Sequence, residues 1–295
     1  MITVSNLAKK FDDVTALDGV NMNVPEGVVY GLVGSNGAGK TTLINHLSGV
    51  YRQDTGEVRI DGQHVFENNA IKMRIGTIPD NLYFYPQSST LDMAKFYSGI
   101  YPNFNWDRYH KISDAFQIDD KRGIKRLSKG MQKQSAFWLA IAAQVDLLLL
   151  DEPVDGLDPV MRNTVWNLLL EDVVQRGMTV VVSSHNLREL EDVCNYVGIM
   201  HNGKVLLERS LSELQDGVYK LQTAFAGELP EEIPGMNELQ RTRNGSVYNI
   251  IVRGDIDEAE KLLAEYSPLF LDVIPLTLEE VFIHEMGGEN YGGIF

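Results

Sequence analysis

The strongest constraint on this chain is a glycine-rich loop that satisfies the pattern G-x-x-x-x-G-K-[ST]. The loop is Gly34-Ser35-Asn36-Gly37-Ala38-Gly39-Lys40-Thr41. Glycines let successive backbone N–H groups turn inward around an anion, and a helix beginning near the lysine adds the positive end of its dipole. An apolar run, 28–33, precedes the loop, and a segment with helical spacing, 41–47, follows it. This strand–loop–helix context predicts a site for the phosphates of a nucleotide.

Two polar groups of the loop have predicted roles. Lys40 is expected to bridge the β- and γ-phosphates, and the Thr41 hydroxyl is expected to ligate Mg²⁺. The predicted nucleotide-binding residues are Gly34, Ser35, Asn36, Gly37, Ala38, Gly39, Lys40, Thr41 and Thr42.

A second motif supplies acidic groups. The apolar run 147–150 ends in Asp151 and Glu152, so both carboxylates should lie at the carboxyl edge of a buried strand, where α/β proteins bind ligands. Asp151 is predicted to hold Mg²⁺ through water, and Glu152 to orient or deprotonate the attacking water. Taken alone, the motif also fits a structural strand followed by a solvated acidic pair.

The remaining pattern predicts an α/β fold with a mainly parallel core sheet. Strand-like segments lie at 1–7, 18–24, 28–33, 57–60, 145–150 and 179–183. The segments near the start of the chain favour an antiparallel β subdomain. The buried runs on either side of the helical segment 159–175 are typical of a parallel sheet covered on both faces. The segment 85–143 favours a helical insertion. Within it, Ser128 is a candidate N-cap that precedes a helix predicted over 134–143.

The sequence changes character near residue 217. Alternating segments at 219–225 and 246–252, with Asn244-Gly245 as a hairpin signal, predict strands, and 256–266 and 278–286 predict helices. We therefore predict one domain over 1–216 and a small C-terminal α+β accessory domain over 217–295.

Composition restricts the compartment and the partners. The chain has 26 Lys and Arg against 41 Asp and Glu, and the net charge of −15 makes broad nucleic-acid binding unexpected. The single cysteine, Cys194, fits a reducing compartment. Because no apolar run is long enough to cross a membrane and the first residues do not resemble a signal peptide, we expect a cytoplasmic protein.

The order of the short motifs resembles the ATP-binding subunits of ABC transporters over about residues 1–210. Besides the phosphate loop, the motifs are Leu127-Ser128-Lys129-Gly130-Met131-Gln132, Asp151-Glu152-Pro153, Gly156-Leu157-Asp158 and Ser183-Ser184-His185. The Lys-Gly-Met pattern and the acidic residue Asp80 at the lid-loop position look like the bacterial drug-export branch, which includes bacitracin-exporter-like and Ytr-like ATPases. The segment 277–282 resembles a closing segment that is common in this branch. The resemblance implies the P-loop ATPase fold of this family and hydrolysis of ATP with Mg²⁺.

The resemblance also implies roles for further residues. Phe11 matches the aromatic residue that stacks on adenine, although a core position would also explain it, and His185 matches the histidine that contacts the γ-phosphate. In the family, two subunits pack head to tail, so ATP would lie between the phosphate loop of one subunit and the signature residues Ser128, Lys129 and Gly130 of the other. Asp158 matches the loop that crosses this interface.

One position departs from the family pattern near the metal. Where relatives carry a glutamine that touches Mg²⁺ and senses the membrane subunit, this chain has Asp80. A carboxylate can ligate Mg²⁺ directly or through water, so Asp80 is a further candidate metal ligand. A solvated loop acid is the alternative interpretation.

The leading hypothesis is the ATPase subunit of an exporter. It would work with one or more membrane permease subunits and a second ATPase subunit, either another copy or a paralogue, on the inner face of the cell membrane. The aromatic-rich segment 83–106 would receive a permease helix or, alternatively, form the core of the insertion. A second hypothesis is a soluble ABC-class ATPase that acts on ribosomes or nucleic acid, and a P-loop kinase would leave the signature and His185 unexplained.

Overall fold

The computed structural model describes residues 1–215, 217–227, 229–230, 232–277 and 279–280. The chain divides into two compact units, one over Met1–Glu208 and one that begins at Arg209. The described strands are β1 (Ile2–Phe11), β2 (Val14–Val24), β3 (Val29–Val33), β4 (Thr55–Ile60), β5 (Gln63–His64), β6 (Ile75–Ile78), β7 (Leu147–Asp151), β8 (Thr179–Ser184), β9 (Tyr196–His201), β10 (Lys204–Ser210), β11 (Val218–Ala224), β12 (Glu238–Asn244), β13 (Val247–Arg253) and β14 (Phe270–Ile274). The described α-helices are α1 (Lys40–Leu47), α2 (Asn69–Lys72), α3 (Thr90–Ile100), α4 (Trp106–Phe116), α5 (Lys129–Ala142), α6 (Pro159–Arg176), α7 (Leu211–Gln215) and α8 (Ile256–Ala264).

The core sheet of the first unit has the strand order β10-β9-β3-β8-β7-β6. Strand β3 runs parallel to β8 and β9, and β7 runs parallel to β6 and β8. Every residue of β3, β7 and β8 is buried, which explains why these strands are apolar runs without alternation. The predicted parallel core sheet is confirmed. Because β8 separates β3 from β7, the loops that follow these three strands meet at one edge of the sheet.

A second sheet of the first unit is antiparallel and has the order β2-β1-β4-β5. The inward side chains of its strands pack with α1 and with residues of the core sheet in one cluster, which includes Leu7, Leu17 and Leu43. This sheet is the antiparallel β subdomain that the sequence predicts.

The helical insertion consists of α3, α4 and α5, and α5 contacts both of the others. Tyr109 of α4 stacks on Trp138 of α5 with ring centroids 4.6 Å apart, and the Trp138 indole N–H donates to the Tyr109 carbonyl at 2.7 Å. The predicted start of α5 at Gln134 is wrong. The helix begins at Lys129, because Ser128 caps it directly by accepting a hydrogen bond from the Met131 N–H.

The second unit contains an antiparallel sheet of order β12-β13-β11-β14. One face of this sheet packs with α8 through a core that includes Leu221, Ile250 and Leu263. Apart from Glu279 and Glu280, which are helical, the predicted helix 278–286 lies outside the described residues, as does the tail after it. Among the residues described, none of the helices combines the length and the apolar character that a membrane span needs.

Candidate active site

The candidate site lies at the carboxyl edge of the core sheet, where three loops follow adjacent strands. The phosphate loop follows β3, Glu152 follows β7, and His185 follows β8. Ligands of open α/β sheets bind outside the carboxyl ends of the strands, because loops and helix N-termini converge there. Sheet order therefore brings together residues that are far apart in the sequence.

Two glycines of the phosphate loop are required by close packing. A Cβ on Gly34 would lie 2.2 Å from the Met200 carbonyl oxygen, and a Cβ on Gly39 would lie 2.6 Å from the Ala16 carbonyl oxygen. Gly39 also has φ +107°, a conformation that side chains disfavour. The loop is thus pressed against β2 on one side and the end of β9 on the other, and no larger residue fits at these two positions.

Lys40 is buried and its ammonium lies inside the loop. Its Nζ donates to the carbonyl oxygens of Gly34 at 2.6 Å and Ser35 at 3.2 Å, and lies 3.4 Å from Glu152 Oε1. The nearest acidic partner of the loop lysine is therefore the carboxylate that the sequence predicts to act on water. An entering phosphate would meet this ion pair.

The acidic pair after β7 is held by β8. Ser183 donates its hydroxyl proton to Asp151 Oδ1 at 2.6 Å, and the same hydroxyl oxygen accepts a hydrogen bond from the Glu152 N–H at 3.2 Å. Asp151 is buried, whereas Glu152 is half-buried and turns its side chain toward Lys40 and His185. Ser183 thus orients the Asp151 carboxylate and holds the backbone of Glu152, because it stands opposite Asp151 in the β7–β8 register.

His185 is paired with Glu152. Its Nδ1 lies 2.9 Å from Glu152 Oε2, and this hydrogen bond is the main reason why the pKa of His185 is raised above 6.5. The ligand atoms of Glu152, Asp155 and His185 lie within 4.8 Å of one another. Three groups of the predicted site, Lys40, Glu152 and His185, therefore form one contiguous cluster.

The oxygen donors near this cluster suit Mg²⁺. The Thr41 hydroxyl belongs to the first turn of α1, and Asp151 supplies a buried carboxylate oriented by Ser183. Hard oxygen ligands of this kind are what Mg²⁺ prefers in proteins.

The signature residues lie at the start of α5. Ser128 and Lys129 are exposed, and Gly130 packs so closely that a Cβ on it would lie 2.8 Å from the Gly156 carbonyl oxygen. Asp158, also exposed, caps α6 by accepting a hydrogen bond from the Met161 N–H at 3.0 Å. The signature and the loop that contains Asp158 are thus neighbours within one subunit.

Asp80 lies near the signature. It is exposed and lines a cleft of about 420 Å³ together with Asn81, Leu82, Lys129, Gln132, Lys133, Asp155 and Gly156. Its Oδ2 accepts a hydrogen bond from the Asn81 side chain at 3.3 Å. The carboxylate therefore faces the beginning of α5 and the loop after β7.

Phe11 lies at the end of β1 with 39% of its surface exposed. Its ring meets Tyr51 edge to face at 5.4 Å, and the Lys9 ammonium, itself held by Asp54, lies 5.4 Å from the ring centroid. The exposure is contrary to a core position. The ring is therefore partly accessible at the surface of the first unit.

Two residues near the site have contacts that the sequence does not predict. They are Ser183, which donates to Asp151, and Lys133, whose Nζ donates to the Glu152 carbonyl oxygen at 2.8 Å. The Ser-Ser-His run gave a signal for Ser183, because it follows a buried strand. Lys133 had no comparable signal.

The comparisons agree with this geometry. The sequence pattern of the ABC transporter family matches residues 17–155. The ABC transporter ATP-binding protein YtrB of Bacillus subtilis (strain 168) is 29% identical over 290 residues, covering 98% of this chain and 99% of YtrB. The bacitracin transport ATP-binding protein BcrA of Bacillus licheniformis is 30% identical over 308 residues, covering 99% of each chain.

A solved structure supports the same fold. The dimeric, post-hydrolysis ATP-binding cassette with bound ADP and Pi superposes with a TM-score of 0.65 at 23% identity, covering 72% of this chain and 99% of that cassette. The predicted P-loop fold of the first unit is confirmed.

Proposed function

Because the chain belongs to the ATP-binding proteins of the ABC transporter family, we propose that it is the ATPase subunit of a small-molecule exporter. Members of this family bind and hydrolyse ATP, and this chain is an ATPase of that type. The relative YtrB is named as an ABC transporter ATP-binding protein, and BcrA as a bacitracin transport ATP-binding protein. Their similarity over almost the whole chain supports export of an antibiotic-like molecule through a membrane permease.

One observation carries the proposed chemistry: Lys40, Glu152 and His185 are in contact at the edge of the sheet. The γ-phosphate of ATP would take the place of the Glu152 carboxylate beside the Lys40 ammonium, which removes the ion pair and frees Glu152. The loop Gly34–Thr42 would surround the phosphates with its N–H groups, and Phe11 would stack on adenine.

Mg²⁺ would be held by Thr41 and Asp151, and Asp80 is a further candidate ligand. When bound, Mg²⁺ neutralises charge on the β- and γ-phosphates. Ser183 keeps the Asp151 carboxylate in one orientation, so its ligand oxygen is fixed before the nucleotide arrives.

Glu152 acts on the water that attacks the γ-phosphorus. It accepts a proton from that water while the bond to the bridging oxygen breaks and ADP leaves with that oxygen. His185 holds the Glu152 carboxylate at Oε2, and its ring would turn toward the γ-phosphate once Lys40 has released Oε1.

A second ATPase subunit would complete the site. Ser128, Lys129 and Gly130 are exposed or half-buried at the start of α5, so they are accessible to the nucleotide of a partner. Asp158 lies on the neighbouring loop and would cross the same interface. The partner is either a second copy of this chain or a paralogue, and no nucleic acid is expected.

The permease would bind the exposed aromatic surface of the insertion. Tyr83 is 76% exposed, and Tyr85 and Phe96 are exposed as well, with their rings packed edge to face at 5.3 Å. Aromatic side chains of this kind are enriched at protein interfaces. Binding there would hold the subunit on the inner face of the cell membrane, with 217–295 as an accessory domain.

The test is turnover of the purified chain with MgATP. Glu152→Gln should retain ATP binding while hydrolysis falls by about 100-fold or more, since the base is lost and the Mg²⁺ ligand Asp151 remains. Glu171→Gln makes the same charge change on α6, away from the site, and should hydrolyse ATP normally. Wild-type turnover by the Glu152→Gln variant would contradict the proposed base.

The export role needs a separate experiment. Affinity purification of the tagged chain from solubilised membranes should recover a permease with several membrane spans. Replacing Tyr83 and Tyr85 together by Ser should abolish recovery and leave ATP binding intact. Equal recovery by this variant would assign the permease contact to another surface.

A further inference from the structure

Lys133 is a buried lysine that connects α5 to the backbone of Glu152. Only 8% of it is exposed, and its Nζ donates to the Glu152 carbonyl oxygen at 2.8 Å. Burying an ammonium is costly unless it is hydrogen-bonded and compensated by opposite charge. The acids that act on it are Asp80, Glu152, Asp155 and Glu189, which come from three separate loops. Negative charge from all three loops thus compensates the buried ammonium.

The conformation of Glu152 needs such support. Its φ is +46°, in the left-handed region that residues other than glycine rarely adopt. Its N–H is held by Ser183 of β8 and its carbonyl by Lys133 of α5. The direction of the Glu152 side chain therefore depends on α5 as well as on the sheet.

The same helix begins at the signature. α5 is continuous over Lys129–Ala142, so displacement of its first turn also displaces Lys133. Gly130 adds a second link, because it packs directly on the Gly156 carbonyl in the loop that follows Glu152. Ser128 and Glu152 are thus connected by one continuous helix and by the packing of Gly130 on the loop after β7.

We propose that Lys133 is a positioning residue that aims Glu152 and couples it to the signature of the same subunit. Contact of Ser128 with the partner's ATP would then set the position of Glu152 at the subunit's own ATP. This inference rests on the proposed function, in which Glu152 is the general base and the signature meets the partner's nucleotide. Its consequence is that hydrolysis at each site depends on ATP at the other.

The experiment uses the full chain and three substitutions of one residue. Lys133→Met removes the donor and the charge, Lys133→Gln keeps a donor without charge, and Lys133→Arg keeps both. Lys111→Met, at an exposed position of α4, is the matched control. Turnover, ATP affinity and the Hill coefficient for ATP are measured for each, and circular dichroism and thermal melting verify folding.

We expect Lys133→Met to lower kcat by about 10- to 100-fold, as small misplacements of catalytic groups do, while ATP affinity stays close to that of the wild type. Its Hill coefficient should fall. Lys133→Arg should recover most of the turnover, and Lys133→Gln a part of it. In a Glu152→Gln background, Lys133→Met should produce no further loss, because both substitutions act on the same group.

Three results would overturn the inference. Unchanged kcat in Lys133→Met would do so, and so would a further loss in the Glu152→Gln background. The third result would be an equal loss of kcat in Lys133→Met and Lys133→Gln that disappears at high salt. It would mean that Lys133 acts through its charge and not by positioning Glu152. If Lys133→Met does not fold, the Gln and Arg variants decide between position and charge. The proposed function fails separately, since then Glu152→Gln alone would hydrolyse ATP normally.

Discussion

Two helices of the first unit begin at the site, and they begin in different ways. α1 starts after Gly39 and has no side-chain hydrogen bond at its N-terminus, whereas α5 starts after Ser128, whose hydroxyl oxygen accepts from the Met131 N–H at 3.2 Å. The first N–H groups of a helix need acceptors, and a bound phosphate supplies them as well as a capping side chain does. The first N–H groups of α1 can therefore donate to a bound anion, whereas Ser128 already accepts from one of the first N–H groups of α5.

Glu152 lies between these two helices. Its side chain faces Lys40 of α1 and its backbone faces Lys133 of α5. We infer that the two helix starts have different roles: α1 would contact the phosphates bound by its own chain, and α5 would present its capped end to the nucleotide of a partner. Substitutions at the two helix starts should accordingly separate ATP binding from assembly.

The largest effect is expected at α1. Lys40→Ala should weaken ATP binding by about 100-fold or more, because two hydrogen bonds from a charged group to phosphate, worth about 1.5–3 kcal/mol each, are lost. Calorimetric titration with MgATP measures this change, with Lys121→Ala, an exposed lysine of the insertion, as the control. Affinity within a few-fold of the wild type would show that the loop does not hold the phosphates.

A substitution at the start of α5 is expected to prevent dimer formation. The Glu152→Gln protein should form a dimer in MgATP, and adding Ser128→Arg should keep it monomeric while each monomer still binds ATP. Light scattering coupled to sizing detects the difference, and Gln175→Arg, at an exposed position of α6, is the control. The subunits each carry a net charge of −15, so their repulsion at low salt makes dimers without ATP weak. A Ser128→Arg dimer would place the signature outside the interface.

The two helix starts also differ in how far the sequence predicts them. The phosphate loop is local: glycines, a lysine and a threonine at fixed spacing are sufficient, and the start of α1 follows from them. The sequence places the start of α5 at residue 134, five residues after the observed start at Lys129, because the apolar run of this helix begins only at Ala136 while the cap lies at Ser128. Here the capping residue, not the periodicity, sets the boundary.

Other parts of the site depend on tertiary register and could not be predicted. Ser183 reaches Asp151 only because β8 lies beside β7, and the sequence contains no signal for that strand order. Lys133 looks like any helical lysine until α5 is placed against the loop after β7. Chemistry carried by one short segment was therefore predictable, whereas contacts between segments were not.

A smaller effect is expected at Asp80, which lines the cleft beside α5. Asp80→Gln should change the ATPase rate and the midpoint of the Mg²⁺ titration by up to about fivefold, since exposed charge contacts contribute at most about 1 kcal/mol. Asp114→Asn, an exposed acid on α4, is the control. An identical Mg²⁺ titration in Asp80→Gln would show that this carboxylate is remote from the metal.

The smallest effect concerns the pairing of Glu152 with His185. The hydrogen bond to Glu152 raises the pKa of His185, so the folded protein binds the His185 proton more tightly than the unfolded chain does. The resulting stabilisation is fully present below pH about 6.5, the ordinary histidine pKa, and is lost as the pH rises through the raised value. Because the His185 side chain is 45% exposed, this stabilisation should amount to only a few tenths of a kcal/mol.

Urea unfolding at pH 5.5 and 8.5 should therefore show His185→Gln to be less stable than the wild type by a larger margin at the lower pH. The exposed His110→Gln is the control. A difference that grows as the pH rises would contradict the pairing and leave Lys40 of α1 as the group that holds the Glu152 side chain.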